Sequence, residues 1–421
     1  MKEIKPQKIT DGQVEVPGSK SYTHRMLIAA ALADGVSTLQ NALVSEDTQF
    51  TMDALRQMGV QIDVNRAEVR VEGKAGRLEP CEAPIYLGNS GTSMRLLTGV
   101  AALGTGTYTL TGNDRMQMRP IKDLLDALQQ MGIRVRSVKN NGCPPVEVTA
   151  EAIAADRVDI DCRSSSQYLS ALLLMAPRTS QGLEIRVVGG PPVSRPYVDL
   201  TVALMETFGI RLERRGYQKF KVPGGQFYRS GNYVVETDCS QAAYFWGAAA
   251  ISGVEIKVLG IRPDSAQGDV RFVELLQQMG CRVSRESDCI GVAGGALQAI
   301  EADLSDMPDQ VPTLAVVAAF AEGTTMIKNV AHLKSKESDR LSATVAELNK
   351  MGIHATCTAN TLAIKGGKPK GAVIDTYNDH RIAMSFAIAG LNVPGVCIRN
   401  EGCVEKSFPA FWQVFEGLYP S

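Results

Sequence analysis

Five segments of this chain bring small polar residues to the start of an apolar, helix-like stretch: Gly18-Ser19-Lys20-Ser21, Gly88-Asn89-Ser90-Gly91-Thr92, Ser164-Ser165-Ser166-Gln167, Asp238-Cys239-Ser240-Gln241 and Asn378-Asp379-His380-Arg381. Ser, Thr, Asn and Asp are the preferred N-cap residues, so any one segment alone reads as a structural cap. Four of the five also carry a cation in or near the first turns: Lys20 with Arg25, Arg95, Arg163 and Arg381. Exposed backbone N–H groups, a helix dipole and a positive side chain then converge on one place, which is how phosphates and carboxylates are held.

Two further basic stretches extend this chemistry. In Arg115-Met116-Gln117-Met118-Arg119-Pro120 the proline suits the first position of a helix over 121–131, which sets Arg119 against the dipole unless an anion lies there. In Lys336-Glu337-Ser338-Asp339-Arg340 the two cations are four apart on an expected helix, a like-charge pair that Glu337 or a ligand would relieve. The carboxylates Asp309, Glu337 and Asp379 stand close to these cations in sequence. Held ionised by them, a carboxylate works as a general base or anchors substrate hydroxyls. No Walker A motif or G-x-G-x-x-G is present, and the four histidines and nine cysteines show no zinc spacing, so no metal or organic cofactor is called for.

The elements that must position these residues repeat. An apolar helix ending near Gly and leading into a strand recurs six times, with the glycines Gly35, Gly106, Gly182, Gly253, Gly323 and Gly395 at separations of 71, 76, 71, 70 and 72 residues. Gly suits a helix C′ position because it tolerates positive φ. A second helix recurs in step and closes at Gly59, Gly132, Gly209, Gly280 and Gly352 before a strand. Strand-like residues at the amino terminus, 4–16, have no helix ahead of them and are expected to complete the last repeat. This pattern predicts an α/β protein of two domains with three repeats each. One domain spans 18–231; the other is discontinuous, 1–17 with 232–421, so the chain crosses twice and forms a hinge and cleft.

With 421 residues, 44% apolar and 21% charged, the chain is a folded protein with ample core rather than a disordered or fibrous one. A net charge of -1 and 6% aromatic residues give neither a backbone track nor stacking platforms for nucleic acid. Cysteine spacing fits free thiols in a reducing compartment. No apolar run is long enough to span a membrane, and the first residues lack the apolar core of a secretory signal. A cytoplasmic protein, expected to be a monomer, follows from this reading.

Taken in order, Gly18-Ser19-Lys20-Ser21 with Arg25, Leu87-Gly88-Asn89-Ser90-Gly91-Thr92 with Met94-Arg95, Arg119-Pro120-Ile121, Ser165-Ser166-Gln167, Lys336 to Leu341, Asn378-Asp379-His380-Arg381 and Lys406-Ser407-Phe408-Pro409 closely resemble the 5-enolpyruvylshikimate-3-phosphate synthase family, end to end. The resemblance implies a two-domain inside-out α/β barrel, each domain made of three βαβαββ repeats with helices inside and sheets outside. It implies transfer of the enolpyruvyl group of phosphoenolpyruvate to the 5-hydroxyl of shikimate 3-phosphate, through a tetrahedral adduct that loses phosphate, with no cofactor or metal. By motif position, Lys20, Ser21, Arg25, Ser165, Ser166, Gln167, Ser194, Tyr197, Asp309, His332 and Lys336 would meet shikimate 3-phosphate, the serines and Lys336 around its phosphate. Lys20, Gly91, Arg119, Gln167, Arg340, Arg381 and Lys406 would meet phosphoenolpyruvate. The family gives Asp309 as the base for the 5-hydroxyl proton and Glu337, with Lys20, as the candidate to protonate the methylene carbon. Opposed positive helix starts would keep the ligand-free form more open until anions enter.

Some positions depart from the most familiar pattern. Ser90 stands where Ala is common, Leu96 where Pro is common, and His332 where Asn contacts substrate; these bear on the response to glyphosate, the family's inhibitor at the phosphoenolpyruvate site. The related enolpyruvyl transferase that acts on UDP-N-acetylglucosamine carries a Lys-Asn pair where this chain has Lys20-Ser21, and a reactive loop Cys. A non-catalytic ligand-binding protein on the same repeats would not need Lys20, Asp309, Glu337, Arg340, Arg381 and Lys406 together.

Overall fold

The computed structural model describes residues 1–420. The chain forms two compact units, Gly18–Val235, and Met1–Pro17 together with the chain from Glu236 onward. Each unit has its own hydrophobic core.

In the unit Gly18–Val235, three open four-stranded sheets share one plan. The first strand pairs parallel with the second, the second antiparallel with the fourth, and the fourth antiparallel with the third. In the middle repeat these are Ile85–Tyr86, Gly106–Thr111, Arg134–Ser137 and Val146–Ala150, with helices Gly91–Ala101 and Lys122–Gln130 between them. The order along the chain is βαβαββ. The first helix of each repeat, Lys20–Leu32, Gly91–Ala101 and Gln167–Met175, is buried on nearly all sides. These three pack on one another, and Gly99 permits the approach: a Cβ there would stand 3.1 Å from the Ala171 carbonyl oxygen. The second helices, such as Glu46–Gln57, expose a polar face. Helices that are apolar all round must lie inside, and the sheets cover them with alternating residues.

The second unit repeats the plan with inner helices Cys239–Ser252, Val311–Ala318 and His380–Ala389, except that the sheet of its last repeat has three strands. Its repeats borrow strands. Gly12–Val14 pairs parallel with Glu255–Leu259 and serves as the first strand of the fourth repeat. Lys2–Glu3 pairs antiparallel with Cys397–Ile398 in the sixth repeat. The amino terminus, expected to complete the last repeat, thus serves two sheets. The first repeat takes its opening strand from Asn232–Val234, parallel to Asp34–Gln40, so the chain stays with the unit Gly18–Val235 until Val235.

All six glycines that follow the inner helices have positive φ, between 73° and 98°. Only Gly253 sits at the cap itself; the other five lie beyond the helix end, where the chain turns into its strand. The C′ role belongs to the second set. At Gly59, Gly132, Gly209, Gly280 and Gly352 the glycine N–H bonds the carbonyl three residues back, and the next N–H bonds the carbonyl five back, as Val60 does to Leu55. This Schellman closure satisfies the last carbonyls and places an apolar residue against the helix end. The second-repeat helix begins at Lys122, with Ile121 as its cap rather than its first residue. Pro120 therefore precedes it, and Arg119 ends the separate 3-10 turn Met116–Met118.

Candidate active site

In the unit Gly18–Val235, Lys20 opens its helix behind Ser19, and its Nζ lies 2.8 Å from Asp47 Oδ2, a carboxylate 2% exposed. Arg119 turns back from its 3-10 turn to donate Nη1 to the Asn89 carbonyl and side-chain oxygens at 3.0 and 3.1 Å. One turn into Gly91–Ala101, Arg95 donates to Gln167 Oε1 at 2.8 Å, and Gln167 Nε2 donates to Thr92 Oγ1 at 3.0 Å. Gly91 lies under both guanidinium groups. A Cβ there would stand 2.6 Å from Arg119 Nη2 and 2.7 Å from Arg95 Nη1.

Arg25 is buried, and its guanidinium is engaged by protein oxygens: Nε to Thr201 Oγ1 at 2.7 Å, Nη1 to the Ser21 carbonyl at 3.0 Å and Nη2 to Ser170 Oγ at 3.2 Å. Burial lowers its pKa to about 10. Thr201 in turn donates to the Tyr197 carbonyl, and Tyr197 N–H to the Ser194 carbonyl, so Arg25 fixes the segment carrying Ser194 and Tyr197. Ser194 itself holds φ of 53°, a strained choice for a non-glycine residue. Ser165 Oγ accepts from Gln167 N–H, and Ser166 caps Gln167–Met175 without a side-chain bond. Arg163, expected with the anion-facing cations, is 65% exposed and paired with Asp161 at 2.6 Å, because its residue precedes the helix and lies on the sheet edge side.

In the other unit, Lys336 ends the 3-10 segment Ala331–Ser335, while Asp339 caps Arg340–Lys350 by accepting from Ser342 N–H. The two cations expected on one helix therefore belong to different elements, and Arg340 is a first helical residue. Three carboxylates meet its guanidinium, which is 2% exposed: Asp309 at 2.8 Å, Glu337 at 2.6 Å and Asp379 at 2.8 Å. Arg381 takes the other oxygen of Asp309 at 2.9 Å and donates Nη1 to Tyr244 at 3.0 Å. Asp379 caps His380–Ala389 through Arg381 N–H and also accepts from Ser338. Asp309 lies in the 3-10 turn Pro308–Gln310 ahead of Val311–Ala318. Lys406 is buried at the end of the 3-10 segment Glu401–Lys406.

Burial alone would raise the Asp309 pKa, but Arg381, Arg340 and Lys336 outweigh it and hold the carboxyl well below its usual range. Burial and the Lys336 charge push His332 down to about 3, so it is neutral near pH 7. Between pH 6.5 and 3 the unfolded chain binds a proton that folded His332 refuses, so stability is lost as pH falls through that window. Asp309 adds a loss below the ordinary carboxylate pKa, as pH falls toward its own. Urea titrations followed by fluorescence at pH 7 and pH 5 are expected to show a drop in wild type, and a smaller one, by up to one proton in slope, in His332→Asn. An equal drop in both would remove His332 as its source. Both tryptophans, Trp246 and Trp412, lie in this unit and report it alone.

The structure therefore sets Lys20, Gly91 and Gln167 at three inner-helix starts of one unit, with Arg119 against Gly91, and gathers Asp309, Glu337, Arg340 and Arg381 in one cluster of the other unit. Sequence reasoning missed Asp47 and Asn89 as partners of Lys20 and Arg119, and Tyr244 as a partner of Arg381. Asp47 had one signal, its place behind the Ser45 cap; Tyr244, inside an apolar helix, had none.

A repeat-built α/β protein whose inner helices begin in buried arginines, lysine and carboxylates defines an enzyme-like anion-handling class. The EPSP synthase (3-phosphoshikimate 1-carboxyvinyltransferase) family model matches residues 4–415, and the chain belongs to that family. It is 46% identical to the 3-phosphoshikimate 1-carboxyvinyltransferase of Syntrophobacter fumaroxidans over 99% of each chain, and 44% identical to that of Nitrosomonas europaea over 97% of this chain and 96% of the other. Among solved structures, EPSP synthase from Acinetobacter baumannii superposes with a TM-score of 0.83 at 29% identity, covering 99% of this chain and 98% of that one. The enolpyruvyl transferase NikO from Streptomyces tendae shares the fold, with a TM-score of 0.80 at 21% identity over 99% of this chain and 96% of that one. Among the described residues, no helix is long and apolar enough to cross a membrane, and all nine cysteines are free.

Proposed function

We propose that the chain transfers the enolpyruvyl group of phosphoenolpyruvate to the 5-hydroxyl of shikimate 3-phosphate, releasing phosphate, as a step of the shikimate pathway toward aromatic amino acids. The observation that carries this reading is Asp309 gripped by Arg340 and Arg381, with Glu337 on the other side of Arg340. The acceptor oxygen bonds to C2 of the donor as its proton passes to Asp309 and C3 takes a proton from Glu337 or Lys20. Cleavage of the C2–O bond to phosphate, with return of a proton from C3, leaves the enol ether; no electrons are gained or lost overall. A ligand with a carboxylate and a phosphate suits arginine forks. Lys20, Gly91, Arg119, Gln167, Arg340, Arg381 and Lys406 are assigned to it. Lys20, Ser21, Arg25, Ser165, Ser166, Gln167, Ser194, Tyr197, Asp309, His332 and Lys336 are assigned to shikimate 3-phosphate. The protein is read as a cytoplasmic monomer acting on small molecules.

Phosphate release from purified protein, with each substrate omitted in turn, tests the reading. Release that requires both supports it; no release, from a folded protein given both, turns attention to UDP-N-acetylglucosamine as acceptor and then to a non-catalytic ligand-binding protein. Within the same assay, Gly91→Ala is expected to raise the KM for phosphoenolpyruvate about tenfold or more, since its methyl must displace both guanidinium groups. Because Gly91 does not need positive φ, melting by circular dichroism is expected to stay near wild type. An unchanged KM would remove Gly91 from the donor site.

A further inference from the structure

Behind Lys20 and Gly91 runs a line of buried polar side chains where helix packing would otherwise be apolar. His24 Nδ1 lies 2.8 Å from Thr51 Oγ1, Thr51 Oγ1 lies 2.7 Å from Ser93 Oγ, and Ser93 Oγ lies 2.7 Å from Ser90 Oγ. All four residues are at most 1% exposed. They come from three helices that pack together, Lys20–Leu32, Glu46–Gln57 and Gly91–Ala101, with Ser90 as the cap of the last. Burying such groups costs free energy unless each is hydrogen-bonded, so a continuous line has to be satisfied as a unit.

Only the end at Ser93 and Ser90 touches the candidate donor site, without entering it. Ser93 Oγ donates to the Asp47 carbonyl at 3.3 Å, and the Asp47 carboxylate holds Lys20. Ser90 directly precedes Gly91 and accepts from Ser93 N–H at 3.4 Å. The direction of the protons follows from that carbonyl, which can only accept. Ser93 gives its single proton to Asp47 O, so it accepts from Thr51 and Ser90. Thr51, having donated to Ser93, accepts from His24, which must carry its proton on Nδ1.

We infer that His24, Thr51 and Ser93 form a positioning chain that sets Lys20 and the Gly91 turn for phosphoenolpyruvate. This rests on the enolpyruvyl-transfer reading of the same site. None of the three touches substrate; they act through Asp47 and Ser90. The middle link is the place to cut it. Thr51→Val keeps the shape but leaves the His24 N–H without its acceptor and Ser93 without one of its two donors. An unsatisfied buried group of this kind is worth about tenfold in an equilibrium constant.

The test uses the full chain and both substrates. Thr51→Val is expected to raise the KM for phosphoenolpyruvate about tenfold while the KM for shikimate 3-phosphate and kcat stay within about threefold, and Thr51→Ser, which restores the hydroxyl, is expected to return the wild-type value. With only four histidines in the chain, nitrogen-15 NMR of the labelled protein reads the His24 tautomer directly, Nδ1–H being expected. The inference is overturned by a phosphoenolpyruvate KM unchanged in Thr51→Val, by both KM values rising alike, by failure of Thr51→Ser to restore it, or by an Nε2–H tautomer. A wild-type protein that releases no phosphate sinks the parent reading instead. Calorimetric binding of phosphoenolpyruvate to wild type and Thr51→Val then decides the chain's role, and weaker binding confined to the variant supports it. Equal binding, or none to wild type, overturns it.

Discussion

Replacing Asp309 by Asn is expected to lower kcat about a hundredfold or more while the KM for phosphoenolpyruvate stays the same or falls. The first half follows from the base role: an amide cannot take the 5-hydroxyl proton. The second half follows from the ligand-free geometry. Arg340 at 2.8 Å and Arg381 at 2.9 Å both spend a hydrogen bond on Asp309, and both are assigned to the donor. An uncharged side chain between them leaves two guanidinium groups with more attraction to spare for an incoming carboxylate and phosphate.

The same geometry explains how a carboxylate held well below its usual pKa can still be a base. While both arginines grip Asp309, it is a poor proton acceptor. A donor that draws on the same arginines neutralises part of their field, and the basicity of Asp309 returns in the complex where it is needed. Steady-state kinetics on a folded Asp309→Asn protein check this. Turnover within about tenfold of wild type would remove the base role, and a large rise in the donor KM would contradict the competition between Asp309 and the donor for the arginines.

Asp379→Ala is the second large effect, and it falls on stability. Asp379 has no exposed surface, binds Arg340 through both oxygens at 2.8 and 3.2 Å, accepts from Ser338 and caps His380–Ala389. The carboxylates Asp309, Glu337 and Asp379 balance Arg340, Arg381 and Lys336 in this region. Without Asp379 a buried positive charge is left over and a helix start is uncapped. Breaking a buried pair costs about 3–5 kcal/mol, of which the cap accounts for roughly 1. Urea unfolding followed by tryptophan fluorescence, which reports this unit, is expected to show that loss. Added inorganic phosphate is expected to recover more stability in the variant than in wild type, because an anion can take the vacated charge position. A loss under about 1 kcal/mol would mean that Arg340 is satisfied by Asp309 and Glu337 alone.

The sequence by itself determined whatever depends on neighbours a few residues apart. Helix closure at Gly59, Gly132, Gly209, Gly280 and Gly352 could be read directly, because a Schellman turn involves residues within five positions and needs positive φ at one of them. The gathering of Lys20, Gly91, Arg119, Arg340 and Arg381 at or beside helix starts was legible for the same reason: capping residues and dipole-facing cations leave a local signature. Six-fold repetition made those signals mutually reinforcing. The misplacement of the inner-helix glycines shows the limit, since a glycine after a helix reads alike whether it caps the helix or opens the next strand.

Tertiary structure alone decided who pairs with whom. Gly12–Val14 and Asn232–Val234 each open a repeat whose helices lie far along the chain or behind them, because a two- or three-residue strand is specified by the edge it joins rather than by its own sequence. Lys20 meets Asp47 27 positions on, Arg340 meets Asp379 39 positions on, and Arg25 meets Thr201 176 positions on. Such pairs have no period and no motif. They exist because buried charges and hydroxyls must find partners among whatever the helix packing brings within reach, and that packing is set by the whole core.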